Sequence, residues 1–131
     1  MKLLIDTHIL IWLARTPDRL NAAESALLAA RSARVLISAV SIWELRLKWD
    51  RSGDARRSEL LDPQAALEFA ERGGFELKVL TPADCAIRLN VPIGHRDPFD
   101  EQLLIHAQLL GAHFLTRDRL LTGHPLAATI R

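Results

Sequence analysis

Apolar residues in this chain come in short, widely spaced runs, and that spacing constrains the fold more than any other feature. Leu3-Leu4-Ile5, Val35-Leu36-Ile37 and Phe114-Leu115 are each too short for a buried helix. They read as buried strands over 2–6, 35–38 and 113–116, with further strands over 76–80 and at Ala128–Ile130. The segments between them carry helix signals. Thr7 to about Ala14 is a short helix, and Asn21-Ala-Ala-Glu24 is a capping box opening a second that runs to about Ser32. Ser41-Ile-Trp-Glu44 has the same form and opens a helix to about Asp50, followed by a charged loop or frayed end from Arg51 to Glu59. Asp62-Pro63 starts a helix that Gly73-Gly74 closes, Thr81-Pro82 starts one to about Asn90, and Asp97-Pro98 starts one ending at Gly111. Parallel strands need crossovers of this length, and such crossovers are right-handed. The expectation is an α/β fold, a three-layer α/β/α sandwich around a central, mostly parallel sheet of four to five strands, forming one domain over residues 1–131.

In an open parallel sheet, residues just past the carboxyl ends of the strands project into a common crevice. Four acids fall at such places. Asp6 ends the first run, Glu44 lies just past the second, Asp100 is near the start of a long apolar helix, and Asp118 follows Phe114-Leu115-Thr116. Apart from Lys2, at the other end of the strand that Asp6 closes, no lysine is close in sequence to Asp6, Asp100 or Asp118. Like charges crowded together need a cation, and a ligand set of carboxylates alone suits Mg²⁺ or Mn²⁺. The chemistry such ions serve best is hydrolysis of phosphodiester bonds by an activated water. Asp6, Glu44, Asp100 and Asp118 are therefore the candidate catalytic residues.

Each acid also has a structural role open to it. Asp6 can cap the helix after its strand, Glu44 can complete a capping box with Ser41 or pair with Lys48 four residues on, and Asp97 can cap the helix begun by Pro98. Asp118 can be a turn residue. Asp100 is the exception. On a helical wheel Phe99, Leu103, Ala107 and Leu110 share one face, and Asp100 lies beside that stripe while Glu101 points away. An inward carboxylate is costly to bury unless paired or bound to metal.

Composition sets the remaining limits. The formal net charge of +1 lacks the strong basicity of a protein that coats nucleic acid, and the lone Cys85 gives neither a disulfide framework nor a cysteine zinc site. Asp6, Thr7 and His8 interrupt the apolar N-terminal stretch, which argues against a signal peptide, and no uncharged window reaches membrane-spanning length. A cytoplasmic protein with no membrane partner is expected. Arg46, Lys48 and Arg51, with Arg56 and Arg57, form the densest basic run, suited either to an RNA backbone or to a solvated helix end. The helix from Ser41 carries two apolar stripes, Ile42/Leu45/Trp49 and Trp43/Leu47, of which one faces the core and the other needs deeper burial or a partner groove. The five histidines are scattered and read as structural or surface residues.

Four segments together resemble the PIN-domain family, specifically the VapC-type toxin ribonucleases of VapBC toxin–antitoxin pairs. They are Leu3-Leu4-Ile5-Asp6-Thr7-His8, Ile37-Ser38 with Ser41-Ile-Trp-Glu44-Leu45, His95-Arg-Asp-Pro-Phe-Asp100 leading into Leu103-Leu104-Ile105-His106-Ala107, and Leu115-Thr116-Arg117-Asp118. The resemblance implies a PIN-like fold and a Mg²⁺- or Mn²⁺-dependent endoribonuclease acting as a toxin. It matches the family's four acids to Asp6, Glu44, Asp100 and Asp118, and implies Asp6, Asp100 and Asp118 as metal ligands, with Asp97 and Thr116 as accessory residues. Glu101 and His106 depart from the pattern, standing where Arg and Ala are expected. The resemblance also implies an RNA substrate, a homodimer, and a small cognate antitoxin laid across Trp43 and Leu47.

Rival readings fare worse on the residues. A Mg²⁺-binding receiver domain needs paired acids after its first strand and a lysine after its last, and a phosphatase with an Asp nucleophile needs a second Asp where His8 stands. A PIN fold kept only for protein interaction is opposed by four intact carboxylates. A nuclease acting on DNA or structured nucleic acid stays open, because nothing in the sequence reads a 2′-hydroxyl.

Overall fold

The computed structural model describes residues 1–128. Within them, strands β1 (Lys2–Ile5), β2 (Arg34–Ser38), β3 (Glu76–Lys78) and β4 (His113–Leu115) form one sheet in the order β3-β2-β1-β4, with every pairing parallel. This is the expected α/β/α sandwich. Each strand alternates its side chains between two apolar layers. Ile5, Val35, Ile37 and Leu115 face a layer that includes Ile9, Leu10, Leu45 and Ala66, and Leu4, Leu36 and Phe114 face Leu103, Leu104 and Ala107 on the other side.

The helices follow from their caps. Asp6 caps α1 (Thr7–Arg15), Asn21 and Glu24 form the capping box of α2 (Ala22–Ala29), and a 3₁₀ turn spans Pro17–Arg19 between them. Helix α3 (Ala39–Arg51) starts earlier than its sequence suggests. Ser38 is its cap, accepting from the Val40 N–H at 3.0 Å, so Ser41 and Glu44 lie inside the helix and make no capping box. The charged stretch beyond it holds the one-turn helix α4 (Asp54–Arg57). Helices α5 (Pro63–Gly73) and α7 (Pro98–Leu110) open on Asp62 and Asp97 and close on Gly74 and Gly111, at φ of 71° and 63°. That left-handed region is open to glycine without strain.

Helix α6 (Pro82–Cys85) is one turn long and does not reach Asn90. The segment beyond it has no helical apolar stripe to bury, since Ile87 and Val91 are exposed and only Leu89 and Ile93 pack against the core. Its backbone is held instead by Gln108 of α7, which donates to the Arg88 carbonyl and accepts from the Asn90 N–H. Strand β3 ends at Lys78, two residues short of its expected end. Of the expected fifth strand only Ala128 is described: its N–H donates to the Phe114 carbonyl, next to a single parallel bridge from Ala127 to Phe114, and Thr129 and Ile130 lie outside the described residues. No helix among the described residues is long and apolar enough to cross a membrane.

Strand order locates the site. The chain moves from β1 to β2 and β3 on one side, then returns through α7 to β4 on the other side of β1. The connections therefore diverge between β1 and β4, and the crevice outside their carboxyl ends is where open α/β sheets bind ligands. Asp6 directly follows β1, and Thr116 to Asp118 directly follow β4.

Candidate active site

Asp6 is 5% exposed and tightly held. Its Oδ1 accepts from the Thr7 N–H at 2.6 Å and its Oδ2 from the Thr116 hydroxyl at 2.7 Å, while its own N–H donates to the Leu115 carbonyl. Burial raises its pKa, against the lowering effect of the Thr116 hydrogen bond, the charge of His8 and the Thr7 N–H. Thr116 also accepts from the Asp118 N–H at 3.1 Å, so one hydroxyl ties the two strand-end acids together. Asp118 is exposed, and its Oδ1 accepts from the Leu120 N–H.

Glu44 reaches the same crevice from α3. It is 8% exposed, accepts the Thr7 hydroxyl at 2.6 Å, and pairs with Lys48 at 2.8 Å. Thr7 thus bridges Asp6 and Glu44, with the buried Ser41 hydroxyl 2.9 Å from it. The structure keeps the Glu44–Lys48 pair expected from the sequence.

Asp100 is the least compensated acid. Its side chain is 15% exposed, and burial followed by the charges of Asp97, Asp6 and Asp118 pushes its pKa up to about 7. His95 opposes this weakly: its Nε2 sits 3.6 Å from Asp100 Oδ2 and makes no hydrogen bond. Asp97 is the α7 cap, its Oδ1 accepting from Phe99 and Asp100 N–H groups, and it is exposed. Leu103, Leu104 and Ala107 are buried beside Asp100, and Glu101 faces away, as the helical wheel implies.

The donor set has the chemistry of a hard-cation site. It is all carboxylate, and the charges around Asp100 are not balanced by a nearby lysine or arginine. As the side chains lie, however, no three His, Cys, Asp or Glu residues among those described are grouped closely enough to hold one ion. Sharing an ion requires rotation, and Asp118 is free to supply it. It is exposed, and its Oδ2 makes no hydrogen bond among the described residues.

Two sets of contacts were not legible in the sequence. His95 is placed against Asp100 by a turn in which its Nδ1 faces the Asp97 N–H. The second is an anchored arginine. Arg117 donates from Nε and Nη2 to both oxygens of Glu24, which is 1% exposed, and from Nη2 to the Arg19 carbonyl. Its guanidinium also lies 4.4 Å from the Trp12 ring centre. Arg117 is therefore turned away from its neighbour Asp118 and pinned beside it. The Glu24 carboxyl is held below the usual carboxylate range, chiefly by Arg117. Glu24→Gln keeps the cap but loses this charge-assisted pairing, at an expected cost of about 2 kcal/mol in urea unfolding at pH 7. That cost shrinks as pH falls through the low folded pKa of Glu24.

The remaining candidates separate around α3. Lys48 and Arg51 line a cleft of about 470 Å³, whereas Arg46 lies on another side of the helix and pairs with Asp50 at 3.6 Å. Arg46 instead borders an apolar groove of about 380 Å³ with Ile42, Trp43, Leu67, Leu77 and Val79. Trp43 is 49% exposed there, its ring in a T-shaped pair with Phe99, while Leu47 is half-buried and does not line the groove.

Comparison with protein families matches residues 3–122 to the PIN domain. The chain belongs to the PIN domain family. Among solved structures it is similar to VapBC2 from Rickettsia felis bound to a DNA fragment from their promoter. That likeness has a TM-score of 0.62 at 15% identity and covers 97% of this chain and 96% of that one, which establishes a shared fold. Comparison with curated proteins finds no match. A PIN domain is a nuclease fold, and the matched span contains all four acids of the crevice.

Proposed function

We propose that this PIN domain is a Mg²⁺- or Mn²⁺-dependent endoribonuclease, the toxin of a VapBC-type toxin–antitoxin pair. The observation that carries the reading is Asp100, a partly covered carboxyl pushed up to about 7 by burial and by three other acids at the topological switch point. Asp6, Asp100 and Asp118 are the residues that would hold the cation. When bound, Mg²⁺ or Mn²⁺ supplies positive charge to the phosphate and makes a water more acidic.

The chain's own groups prepare for this. Thr7 and Thr116 fix the Asp6 carboxylate in one orientation. Thr7 and Lys48 hold the Glu44 carboxyl directed at the same crevice, where it can accept a proton from water or the substrate. Asp118 keeps one oxygen free to rotate inward. The apolar groove at Trp43 is the antitoxin's seat in this reading, supported by the likeness to a VapBC complex. Homodimerisation is carried over from the family resemblance alone.

The test is cleavage of structured RNA by antitoxin-free protein with Mn²⁺, run beside Asp6→Asn. Discrete fragments that disappear with chelator and drop at least ~100-fold in the variant are expected, since the variant removes one carboxylate charge from the ion site. Cleavage of DNA but not RNA overturns the substrate, and cleavage that survives the chelator overturns the metal.

A further inference from the structure

The 470 Å³ cleft lies outside the acid crevice but shares a wall with it. His8, Arg19, Lys48, Arg51 and Arg56 line it against the single acid Glu59. A cavity of about 320 Å³ at one edge of the acid crevice is lined by Asp6 and Asp118 with Arg117, without Glu44 or Asp100, and both cavities also include His8 and Trp12. Trp12 and His8 therefore form the wall common to the cationic cleft and the Asp6–Asp118 cavity.

The charges in the cleft are available to a ligand. Lys48 is committed to Glu44, but Arg19, Arg51 and Arg56 are exposed and make no ion pair among the described residues. They come from three elements, the 3₁₀ turn, the end of α3 and α4, so three separate backbones bring them to one cavity. Unpaired like charges held together lower the stability of the free protein and favour a polyanion. Trp12 is fixed in turn: Arg117 covers it at 4.4 Å and is itself anchored by the buried Glu24, and the His8 ring is 6.0 Å away.

We propose that this cleft binds a single-stranded polynucleotide, with backbone phosphates on Arg19, Arg51 and Arg56 and a base stacked at Trp12 as the strand passes to the carboxylates. The inference rests on the nuclease reading for what lies at the far end of the path, and it assigns the strand's approach. Stacking on an aromatic ring requires an unpaired base, which a duplex cannot present at a partition between two cavities. The shared chemistry is phosphate plus base, so both RNA and DNA single strands qualify.

The experiment is anisotropy of labelled single-stranded RNA, single-stranded DNA and duplex of one sequence, titrated with metal-free protein in chelator across a salt series. Single strands of at least one sugar type should bind more tightly than duplex. The Arg51→Ala/Arg56→Ala double variant should weaken binding about tenfold and flatten the salt slope by about 1.4, the value for two phosphate contacts on a single strand. Trp12→Leu should weaken binding about tenfold with the slope unchanged. Should Trp12→Leu fail to fold, Trp12→Phe retains an aromatic surface and should retain affinity while losing most of the tryptophan quenching expected of the wild type on binding.

Equal affinity for duplex, or an unchanged salt slope in the double arginine variant, overturns the proposal. The two readings fail separately. Tight binding that depends on Arg51 and Arg56, without cleavage of any nucleic acid by the metal-loaded wild type, keeps the cleft and removes the ribonuclease. Cleavage by wild type with unaltered affinity in the double variant removes the cleft and keeps the ribonuclease.

Discussion

Asp100→Asn is expected to make the metal-free protein more stable at pH 8 while abolishing cleavage. Asp100 is pushed up to about 7 by burial and by Asp97, Asp6 and Asp118, from an ordinary value of 3.8. A group whose folded pKa lies above its unfolded one contributes its full stability below the unfolded value and loses it as pH rises to the folded value. The folded protein should therefore weaken progressively between about pH 4 and 7 through this one residue. At about 1.4 kcal/mol for each pH step, the loss has a ceiling of about 4 kcal/mol, and water reaching the carboxyl reduces it to roughly half. Asparagine has the same shape and no charge to desolvate. Its advantage over the wild type should be small at pH 4, grow to pH 7 and stay level at pH 8. Urea unfolding in chelator at these pH values measures it, and cleavage with Mn²⁺ should fall at least ~100-fold in the same variant. Equal stability of the two proteins at pH 8 would show that Asp100 is not under electrostatic stress. Retained cleavage would remove it from the reaction.

How much of this was legible depends on how far apart the interacting residues are in the chain. Asp6 and Asp118 could be read because a strand's end and its acid are adjacent, and parallel topology then brings separate strand ends together. Asp100 could be read because helical periodicity fixes its direction relative to Leu103 and Ala107. The start of α3 could not, since Ser38 and Ser41 both offer a cap hydroxyl and only the end of β2 decides between them. The correction changes what Glu44 is: an interior helix residue aimed at Thr7, with no cap to make. Glu24 shows the limit of local reasoning most clearly. Its capping box is evident from Asn21, but its second task, holding Arg117, spans 93 positions and leaves no local trace. The basic run from Arg46 to Arg57 is likewise visible as composition only. Which of its members face the site depends on the turn of α3 and on α4, and the structure divides Lys48, Arg51 and Arg56 from Arg46.

Metal should bind with an affinity that depends on pH in a way that reports Asp100. Below about 7 the Asp100 carboxyl retains its proton in the metal-free protein, and a carboxyl must lose that proton to act as a ligand. Each ion bound at pH 6 should therefore release close to one proton, and affinity should rise about tenfold per pH unit until it levels above 7. Ordinary carboxylates titrate near 4 and would give a flat profile across this range. The ion also restores stability, because it binds the folded chain and relieves the repulsion that weakens it. At a metal concentration 100 times the dissociation constant, about 2.7 kcal/mol is expected, seen as a larger rise in melting temperature at pH 8 than at pH 6 for the same total Mn²⁺. Asp100→Asn should lose the share of the proton release and pH dependence that Asp100 supplies, leaving only that of Asp6, whose pKa burial also raises. Calorimetry in two buffers of different ionisation enthalpy counts the proton directly. A rise in melting temperature that is the same at both pH values would place the ion on other carboxylates, and no rise at saturating metal would mean that the side chains do not turn inward to meet it.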